Sequence, residues 1–246
     1  MHLIFLSQVC LSNISIGLMT EKVVVSIGGS ILIPGNEDYE YIKKLAELLK
    51  ELSSEVKISV VCGGGKTARY YASVCRGLGG NVYEQDLFGI TATRMNAGLL
   101  NFALGNDNFP DVPETVEDAV ALFEKGNIAV MGGTVPGHTT DAVAAMLAEG
   151  IGADRIVNAT SVDAVYSDDP NSNGNAERYS RITIRDLEKL VYGEHGASKS
   201  GVFDPLGVRI AKENRIDILT VHGRDLDDLR SAILGQKIKG TFVDSH

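Results

Sequence analysis

Short apolar runs rich in β-branched residues recur along the chain, and several read almost continuously apolar rather than alternating with polar positions. The five runs cover residues 23–27, 58–61, 128–131, 156–159 and 216–221. Runs of this kind are typical of strands that are buried on both faces of a parallel sheet. The pattern therefore predicts a sheet that contains these five strands.

The segments between the runs have helical periodicity or a helix-forming composition. Apolar residues recur at spacings of three and four between Ile42 and Leu52, which places them on one face of a helix. Residues 91–104 and 141–149 are rich in good helix formers, and the polar stretch 168–176 is predicted to be a surface loop. Strands that alternate with helices predict an α/β fold, in which helices cover both faces of a mostly parallel sheet.

The composition permits one large domain and excludes several classes of protein. The chain has 246 residues, of which 44% are hydrophobic, enough for a substantial core. With 23 Lys and Arg against 32 Asp and Glu, the net charge is −9, which argues against a general binder of nucleic acid or of anionic membranes. The three cysteines form neither a disulfide framework nor a zinc pattern, so we expect a cytoplasmic, reducing environment and no protein metal site.

The N-terminal residues stand apart from the rest of the chain. Residues 3–18 are apolar enough to resemble a signal peptide, but no Lys or Arg precedes them and no clear cleavage site follows. Met19 lies shortly before the first predicted strand. We therefore expect residues 1–20 to be a non-essential extension, with a signal peptide as the alternative, and residues 21–246 to form a single domain.

Glycine clusters follow several of the predicted strands directly. They occur at residues 28–30, 63–65 and 132–134, and the other two strands end at 160–161 and 222–223. The carboxyl ends of parallel strands meet at one edge of a sheet, where ligands bind in open α/β folds. Glycine lets backbone N–H groups approach a phosphate, because no Cβ stands in the way. The sequence thus predicts a site for several phosphate groups at this edge.

The loop at residues 63–67 reads Gly-Gly-Gly-Lys-Thr but does not form a P-loop, because Val60 stands where that motif needs its first glycine. A dinucleotide-binding pattern does begin at Gly63, with Glu84 or Asp86 as its acidic residue. A tight strand-to-helix turn would also explain the glycines. Phosphate contact is the interpretation that we favour, and the other two stay open.

Two cations follow this loop. Lys66 and Arg69 are one helical turn apart, so both can face the same anion. Solvated surface cations are the alternative interpretation. Because the chain is acidic overall, an anionic substrate would need such locally placed cations.

Residues 132–141 are the most informative segment. A buried strand leads into this run of glycine, proline and hydroxyl residues, and an alanine-rich helix follows it. Thr139, Thr140 and Asp141 all suit the N-cap of that helix, whose free N–H groups and positive dipole end favour an anion. An ordinary capped helix is the alternative. Residues 160–170 could contact a nucleoside through Tyr166, although by themselves they would read as a plain loop.

Together these segments resemble the amino-acid kinase superfamily and, within it, the archaeal-type UMP kinases. The matching residues are 27–30, 63–69, 86–90 with Thr93 and Arg94, 131–141 and 160–170, in the family's order. The string Gly-Gly-Thr-x-Pro-Gly-His-Thr-Thr-Asp is specific to the UMP kinase branch. The resemblance implies a three-layer αβα sandwich, with an acceptor lobe at about residues 21–153 and an ATP lobe at about residues 154–246.

The resemblance also implies a reaction and a role for the matched residues. The reaction is the reversible transfer of the γ-phosphate of ATP to UMP in pyrimidine nucleotide biosynthesis, with Mg²⁺ accompanying ATP and with a homohexamer as the assembly. ATP would contact Gly29, Ser30, Gly65, Arg69, Thr160, Ser161, Tyr166 and Asp169. UMP would contact Gly64, Asp86, Thr134, Val135, Pro136, Gly137, His138, Thr139 and Thr140.

One departure from the family concerns charge. Ser26 stands where many relatives have a lysine that neutralises phosphoryl charge, so we expect Lys66 and Arg69 to act as the catalytic cations. The phosphate of UMP, whose second pKa is about 6, is already a competent nucleophile and needs no general base. Two alternatives remain: a kinase of the same superfamily with another acceptor, and a nucleotide- or oxyanion-binding protein without activity, which the missing lysine would favour.

Deletion of residues 1–20 is expected to leave activity unchanged, because this segment precedes the first predicted strand and contains none of the matched motifs. The measurement compares soluble yield, thermal unfolding and UMP-dependent ADP formation for the full chain and the shortened one. Loss of soluble, active protein on this deletion would show that the extension belongs to the fold.

Overall fold

The computed structural model describes residues 20–35, 38–106, 111–170, 172–192 and 202–246, so nearly all of the predicted extension lies outside the described residues. Within these ranges the strands are β1 (Lys22–Ile27), β2 (Lys57–Cys62), β3 (Ala129–Met131), β4 (Arg155–Thr160), β5 (Val165–Tyr166), β6 (Arg178–Tyr179), β7 (Arg181–Thr183), β8 (Asp217–His222) and β9 (Thr241–Asp244). The helices are α1 (Gly29–Leu32), α2 (Asp38–Leu52), α3 (Gly65–Gly77), α4 (Val82–Leu104), α5 (Val116–Glu124), α6 (Thr140–Ile151), α7 (Ile184–Tyr192), α8 (Pro205–Asn214) and α9 (Leu226–Ile233).

Seven of the described strands form one sheet in the order β3-β2-β1-β4-β8-β9-β7. Neighbours from β3 to β8 are parallel, and β9 is antiparallel to β8. The pairing of β1 with β4, in which Ile27 lies opposite Ala159, joins the two halves of the chain in one sheet. The mostly parallel sheet predicted from the apolar runs is confirmed, and each run coincides with a strand to within one residue.

The sheet is buried on both faces, which explains why its strands read almost continuously apolar. In β1, Val23, Val25 and Ile27 belong to one core and Val24 to the other, and none of them is exposed to solvent. The first core lies between the sheet and helices α2, α4 and α9, and the second lies between the sheet and helices α5, α6, α7 and α8. The fold is therefore a three-layer αβα sandwich, as the resemblance implied.

Helix α2 follows the predicted apolar period. Leu45, Leu49 and Leu52 are fully buried in the first core, and Ile42 is buried beside them. Burial of each of these side chains contributes roughly 1.5–3 kcal/mol to folding. The opposite face of the helix consists of charged residues in contact with solvent.

Helix α4 is longer than its composition predicts, because it begins at Val82 rather than near residue 91. Its N-cap is Asn81, whose side chain accepts the Glu84 N–H at 3.0 Å, while the Glu84 carboxylate accepts the Asn81 N–H at 2.7 Å. This capping box satisfies two N–H groups that the helix leaves free. Exposed apolar residues such as Leu87 and Phe88 obscure the amphipathic pattern of the first half of the helix.

Candidate active site

The carboxyl ends of strands β3, β2, β1, β4 and β8 lie side by side at one edge of the sheet. The loops that follow them are residues 132–139, 63–64, 28, 160–161 and 222–223. The structure thus brings together all five segments that the sequence placed at this edge. In an open α/β sheet this edge is where a ligand binds.

The loops after β1 and β2 touch backbone to backbone. A Cβ added at Gly29 would lie 2.1 Å from the amide nitrogen of Gly65, and one added at Gly63 would lie 2.6 Å from the amide nitrogen of Gly29. Gly65 also has a φ of 60°, in the left-handed region that favours glycine. The tight-turn interpretation is therefore correct for the backbone, and phosphate contact by the same loops stays a prediction.

The dinucleotide interpretation of the loop after β2 is wrong. That motif belongs to a strand–helix–strand unit, whereas here α3 is followed by α4. Glu84 and Asp86 both lie in α4, so neither can serve as the acidic residue at the end of a following strand. The carboxylate of Glu84 is engaged in the capping box of its own helix.

The two predicted catalytic cations lie at the start of α3, and both are exposed. The ammonium group of Lys66 donates to the carbonyl of Pro34, just after α1, at 3.0 Å. The side chain of Arg69 makes no hydrogen bond or ion pair with another residue in the described part of the chain. Both cations therefore stand beside the touching glycine loops, and the guanidinium of Arg69 is available to a ligand.

The loop between β3 and α6, residues 132–139, rests directly on α4. The Gly133 N–H donates to the hydroxyl of Thr93 at 2.7 Å. The guanidinium of Arg94 donates from Nε to the Gly133 carbonyl and from Nη2 to the Thr134 carbonyl, each at 3.1 Å. Thr93 and Arg94 belong to the matched motif, but no local pattern indicates that they hold this loop, because the contact joins segments 40 residues apart.

Asp86 also holds this loop. One of its carboxylate oxygens, Oδ2, accepts the N–H of Gly137 at 2.8 Å. Gly137 has a φ of 89°, so the backbone turns sharply at the point that Asp86 fixes. Asp86 was predicted to contact UMP, and the structure places it against the loop that carries most of the other predicted UMP contacts.

Of the three residues predicted to suit the N-cap of α6, one occupies that position and the other two lie in the first turn. Thr139 is the N-cap, and its hydroxyl accepts the N–H of Ala142 at 3.1 Å. Thr140 begins the helix, and Asp141 turns towards the sheet. The predicted helix N-terminus therefore points its free N–H groups to the same edge as the glycine loops.

Asp141 is partly buried behind the loop and is hydrogen-bonded to Ser26, whose hydroxyl donates to its Oδ1 at 2.9 Å. Desolvation by burial raises the pKa of Asp141 to about 6; the hydrogen bond from Ser26 opposes this rise, and the charge of Asp204 adds to it. Position 26 thus holds a neutral hydroxyl bound to a carboxylate.

The remaining predicted ATP contacts lie beyond β4. Thr160 ends that strand, Ser161 follows as an exposed residue, and Tyr166 lies in β5, which pairs with β6 in a two-stranded antiparallel hairpin. The hydroxyl of Tyr166 donates to Asp163 at 2.8 Å, and this hydrogen bond raises the pKa of Tyr166. Asp169 lies in the loop of the hairpin, which is the predicted polar surface loop.

His138, in the loop before α6, has a buried ring atom without a partner. Its Nδ1 makes no hydrogen bond to any described residue, although the atom has no contact with solvent. Leaving a buried polar atom unsatisfied costs about 1–3 kcal/mol.

Other kinds of site find little support in the described ranges. No three His, Cys, Asp or Glu side chains of these residues come together as a metal site. Among the helices listed above, none has the length and apolar character needed to cross a bilayer. Cys62 and Cys75 are buried free thiols, and Cys10 lies outside the described residues.

Comparison with known proteins agrees with this arrangement of loops. The model of the family described as "Amino acid kinase family" matches residues 21–221. The chain belongs to the amino acid kinase family. The resemblance that the glycine loops suggested is therefore confirmed. The matched range includes every segment at the carboxyl edge except residues 222–223.

Individual members of the amino acid kinase family are similar over nearly the whole chain. The uridylate kinase of Methanococcoides burtonii is 43% identical over 218 residues, which are 88% of this chain and 93% of the relative. That of Thermoplasma acidophilum is 41% identical over 227 residues, 92% of this chain and 98% of the relative. The crystal structure of uridylate kinase from Archaeoglobus fulgidus has a TM-score of 0.80 and 39% identity, covering 90% of this chain and 99% of that one.

The substitution Asp141→Asn is expected to stabilise this amino acid kinase chain at neutral pH. The folded pKa of about 6 lies above the ordinary value of 3.8, so the contribution of Asp141 to stability is complete below about pH 4 and is lost as the pH rises through 6. Because asparagine does not titrate, the variant gains up to about 3 kcal/mol relative to the unsubstituted chain between pH 4 and pH 8. Urea unfolding across this range measures the difference.

The control for this prediction is Glu47→Gln, at an exposed position of α2. Its unfolding free energy is expected to follow that of the unsubstituted chain at each pH. A difference between Asp141→Asn and the unsubstituted chain that stays constant with pH would contradict the burial argument.

Proposed function

We propose that this amino acid kinase is a UMP kinase, which transfers the γ-phosphate of ATP to UMP and forms UDP and ADP. The observation that carries the proposal is the loop at residues 132–139, which α4 holds at the sheet edge and which ends at the N-terminus of α6. Relatives that share this region and nearly the whole chain are named uridylate kinases. The reaction would supply UDP to pyrimidine nucleotide synthesis in the cytoplasm.

The acceptor side of the site offers hydrogen-bond donors suited to a nucleoside monophosphate. The N-terminus of α6 favours the phosphate. We assign UMP binding to Gly64, Asp86, Thr134, Val135, Pro136, Gly137, His138, Thr139 and Thr140.

The donor side of the site would hold ATP. The loops after β1 and β2 bring backbone N–H groups close together, because their glycines have no side chains between them. The hairpin with Tyr166 lies beyond β4, where a nucleoside could rest against it. We assign ATP binding to Gly29, Ser30, Gly65, Arg69, Thr160, Ser161, Tyr166 and Asp169.

Transfer between two phosphates depends on alignment and charge neutralisation rather than on a covalent protein group. The UMP phosphate is itself the nucleophile, and no base has to remove a proton from it. Arg69 and Lys66 would stabilise the charge that spreads over the transferred group. Mg²⁺ would enter with ATP, bound by its phosphate oxygens and by water, and would neutralise charge there.

An exposed apolar face on α3 and α4 supports an oligomer. Its aromatic members include Tyr70, Tyr71 and Phe88, and the rings of Tyr71 and Phe88 are stacked at 6.4 Å. Contiguous exposed apolar patches of this kind mark interaction sites in soluble proteins. We propose that copies of the chain associate through this face in a homohexamer.

The decisive experiment offers the purified chain ATP and Mg²⁺ with UMP, CMP, dUMP, an amino acid, carbamate and isopentenyl phosphate in parallel. ADP formation is expected to be fastest with UMP, and UDP should be the product. A faster reaction with a different acceptor would make the protein another kinase of the family. ATP binding without transfer to any acceptor would favour the non-catalytic alternative.

Arg69→Ala is expected to lower kcat and kcat/KM together by about 10²–10³, because its planar guanidinium would bind phosphate oxygens most strongly in the transition state. Steady-state kinetics with UMP and ATP measure the effect. Arg76→Ala is the matched control, since this arginine lies at the other end of α3, where its side chain donates to Gln85.

The variant Lys66→Ala tests which of the two cations neutralises the charge of the transferred phosphate. If Lys66→Ala has a strongly lowered kcat while Arg69→Ala has a normal kcat, the charge that neutralises the transferred phosphate is that of Lys66. Near-native turnover in both variants and in the double variant, with unchanged circular dichroism, would mean that the start of α3 has only a structural role.

A further inference from the structure

Arg94 joins α4 to two consecutive peptide groups of the loop before α6. Its Nε donates to the carbonyl of Gly133 and its Nη2 to that of Thr134, each at 3.1 Å. The side chain is only 25% exposed, and its Nη1 forms an ion pair with Glu114 at 2.8 Å. The guanidinium is therefore fixed on one side by a carboxylate and on the other by the loop.

These contacts determine where the next two N–H groups point. In a trans peptide the C=O and the N–H lie in one plane and point in opposite directions. Because both carbonyls face Arg94, the N–H groups of Thr134 and Val135 face away from α4. Neither N–H donates to another residue in the described part of the chain. Two successive free N–H groups on the same side of a loop can both donate to one anion.

The loop has little freedom to adopt another arrangement. A Cβ at Gly132 would lie 2.6 Å from the hydroxyl of Thr93 and 2.7 Å from the amide nitrogen of Arg94, so the backbone rests directly on the helix. The N–H of Gly133 donates to Thr93, and the carbonyl of Gly133 accepts a hydrogen bond from Arg94. Helix and guanidinium together thus fix both ends of the Gly133 residue.

We propose that Arg94 is a positioning residue, which aims the Thr134 and Val135 N–H groups at the phosphate-bearing acceptor without touching it. The proposal rests on the proposed function, since it concerns the acceptor half of the same site. An arginine suits this role because its planar fork donates to two carbonyls from two different nitrogens, whereas a lysine ammonium has all of its N–H donors on one nitrogen.

The test compares Arg94→Met with the unsubstituted enzyme in steady-state kinetics. The KM for UMP is expected to rise about tenfold to hundredfold, the range expected when hydrogen bonds to a charged group are lost. The KM for ATP should stay within about twofold, and kcat should change less than the KM for UMP. Arg94→Lys should recover part of the loss, because the ammonium group keeps the charge and can still donate to one of the two carbonyls.

The matched control is Arg230→Met. Arg230 also forms an ion pair from a helix, with both of its terminal nitrogens 2.7 Å from Glu51, but it lies on α9 away from the loop. The variant Arg230→Met should leave the KM for UMP and the KM for ATP unchanged. An equal rise in both KM values for Arg94→Met, with a lowered melting temperature and no rescue by lysine, would mean that Arg94 is merely structural and would overturn the proposal.

Hydrogen exchange of the ligand-free chain gives a second readout that does not depend on activity. In Arg94→Met the peptide that spans residues 132–138 should exchange faster, while the peptides of α2 should be unchanged. Unaltered exchange of that peptide together with an unaltered KM for UMP would overturn the role of Arg94. Absence of UMP phosphorylation by the unsubstituted chain would instead overturn the proposed function, and faster loop exchange in the variant would still be observed.

Discussion

The contact between the backbones that follow β1 and β2 is the constraint on which the rest of the site depends. A side chain at Gly29 or Gly63 would place its Cβ within 2.6 Å of an atom of the other loop, so the contact exists only between glycines. Because β1 and β2 are parallel neighbours, α1 and α3 must both start from this contact. The free N–H groups at the two helix starts are thereby crowded on one side of the sheet, where they can face the same anion.

Electrostatics in this chain are arranged locally rather than globally. A net charge of −9 repels anionic substrates at long range, so attraction has to come from a few groups at the sheet edge. The carboxylate of Asp141, bound to Ser26 and close to Asp204, adds a further negative charge behind that edge above about pH 6. Helix N-termini and the exposed cations of α3 must therefore outweigh both the general charge and this carboxylate.

The sequence predicted those parts of the fold that depend on local periodicity. The five parallel strands from β3 to β8 are almost continuously apolar and are followed by glycine or polar loops, and α2 keeps a regular apolar face, so both were foreseen. The short strands β5, β6 and β7 have two or three residues each, too few for any period to be visible. The hydrogen bonds of Ser26 to Asp141 and of Arg94 to the loop join segments 115 and about 40 residues apart, and only the packing of the layers brings such segments together.

Helix α4 relates the two halves of the proposed reaction to each other. Thr93 and Arg94 hold the loop before α6, while Asn96, two residues further along, is buried and donates to the carbonyl of Gly63 at 2.8 Å. One rigid helix therefore sets the spacing between residues 132–139, which are assigned to the acceptor, and the loop after β2, which leads directly into the Gly65 assigned to ATP. Two phosphates repel each other, so a reaction between them requires that their separation be imposed from outside. Because the contacts to both loops come from adjacent residues of one continuous helix, the distance between the two loops can vary little.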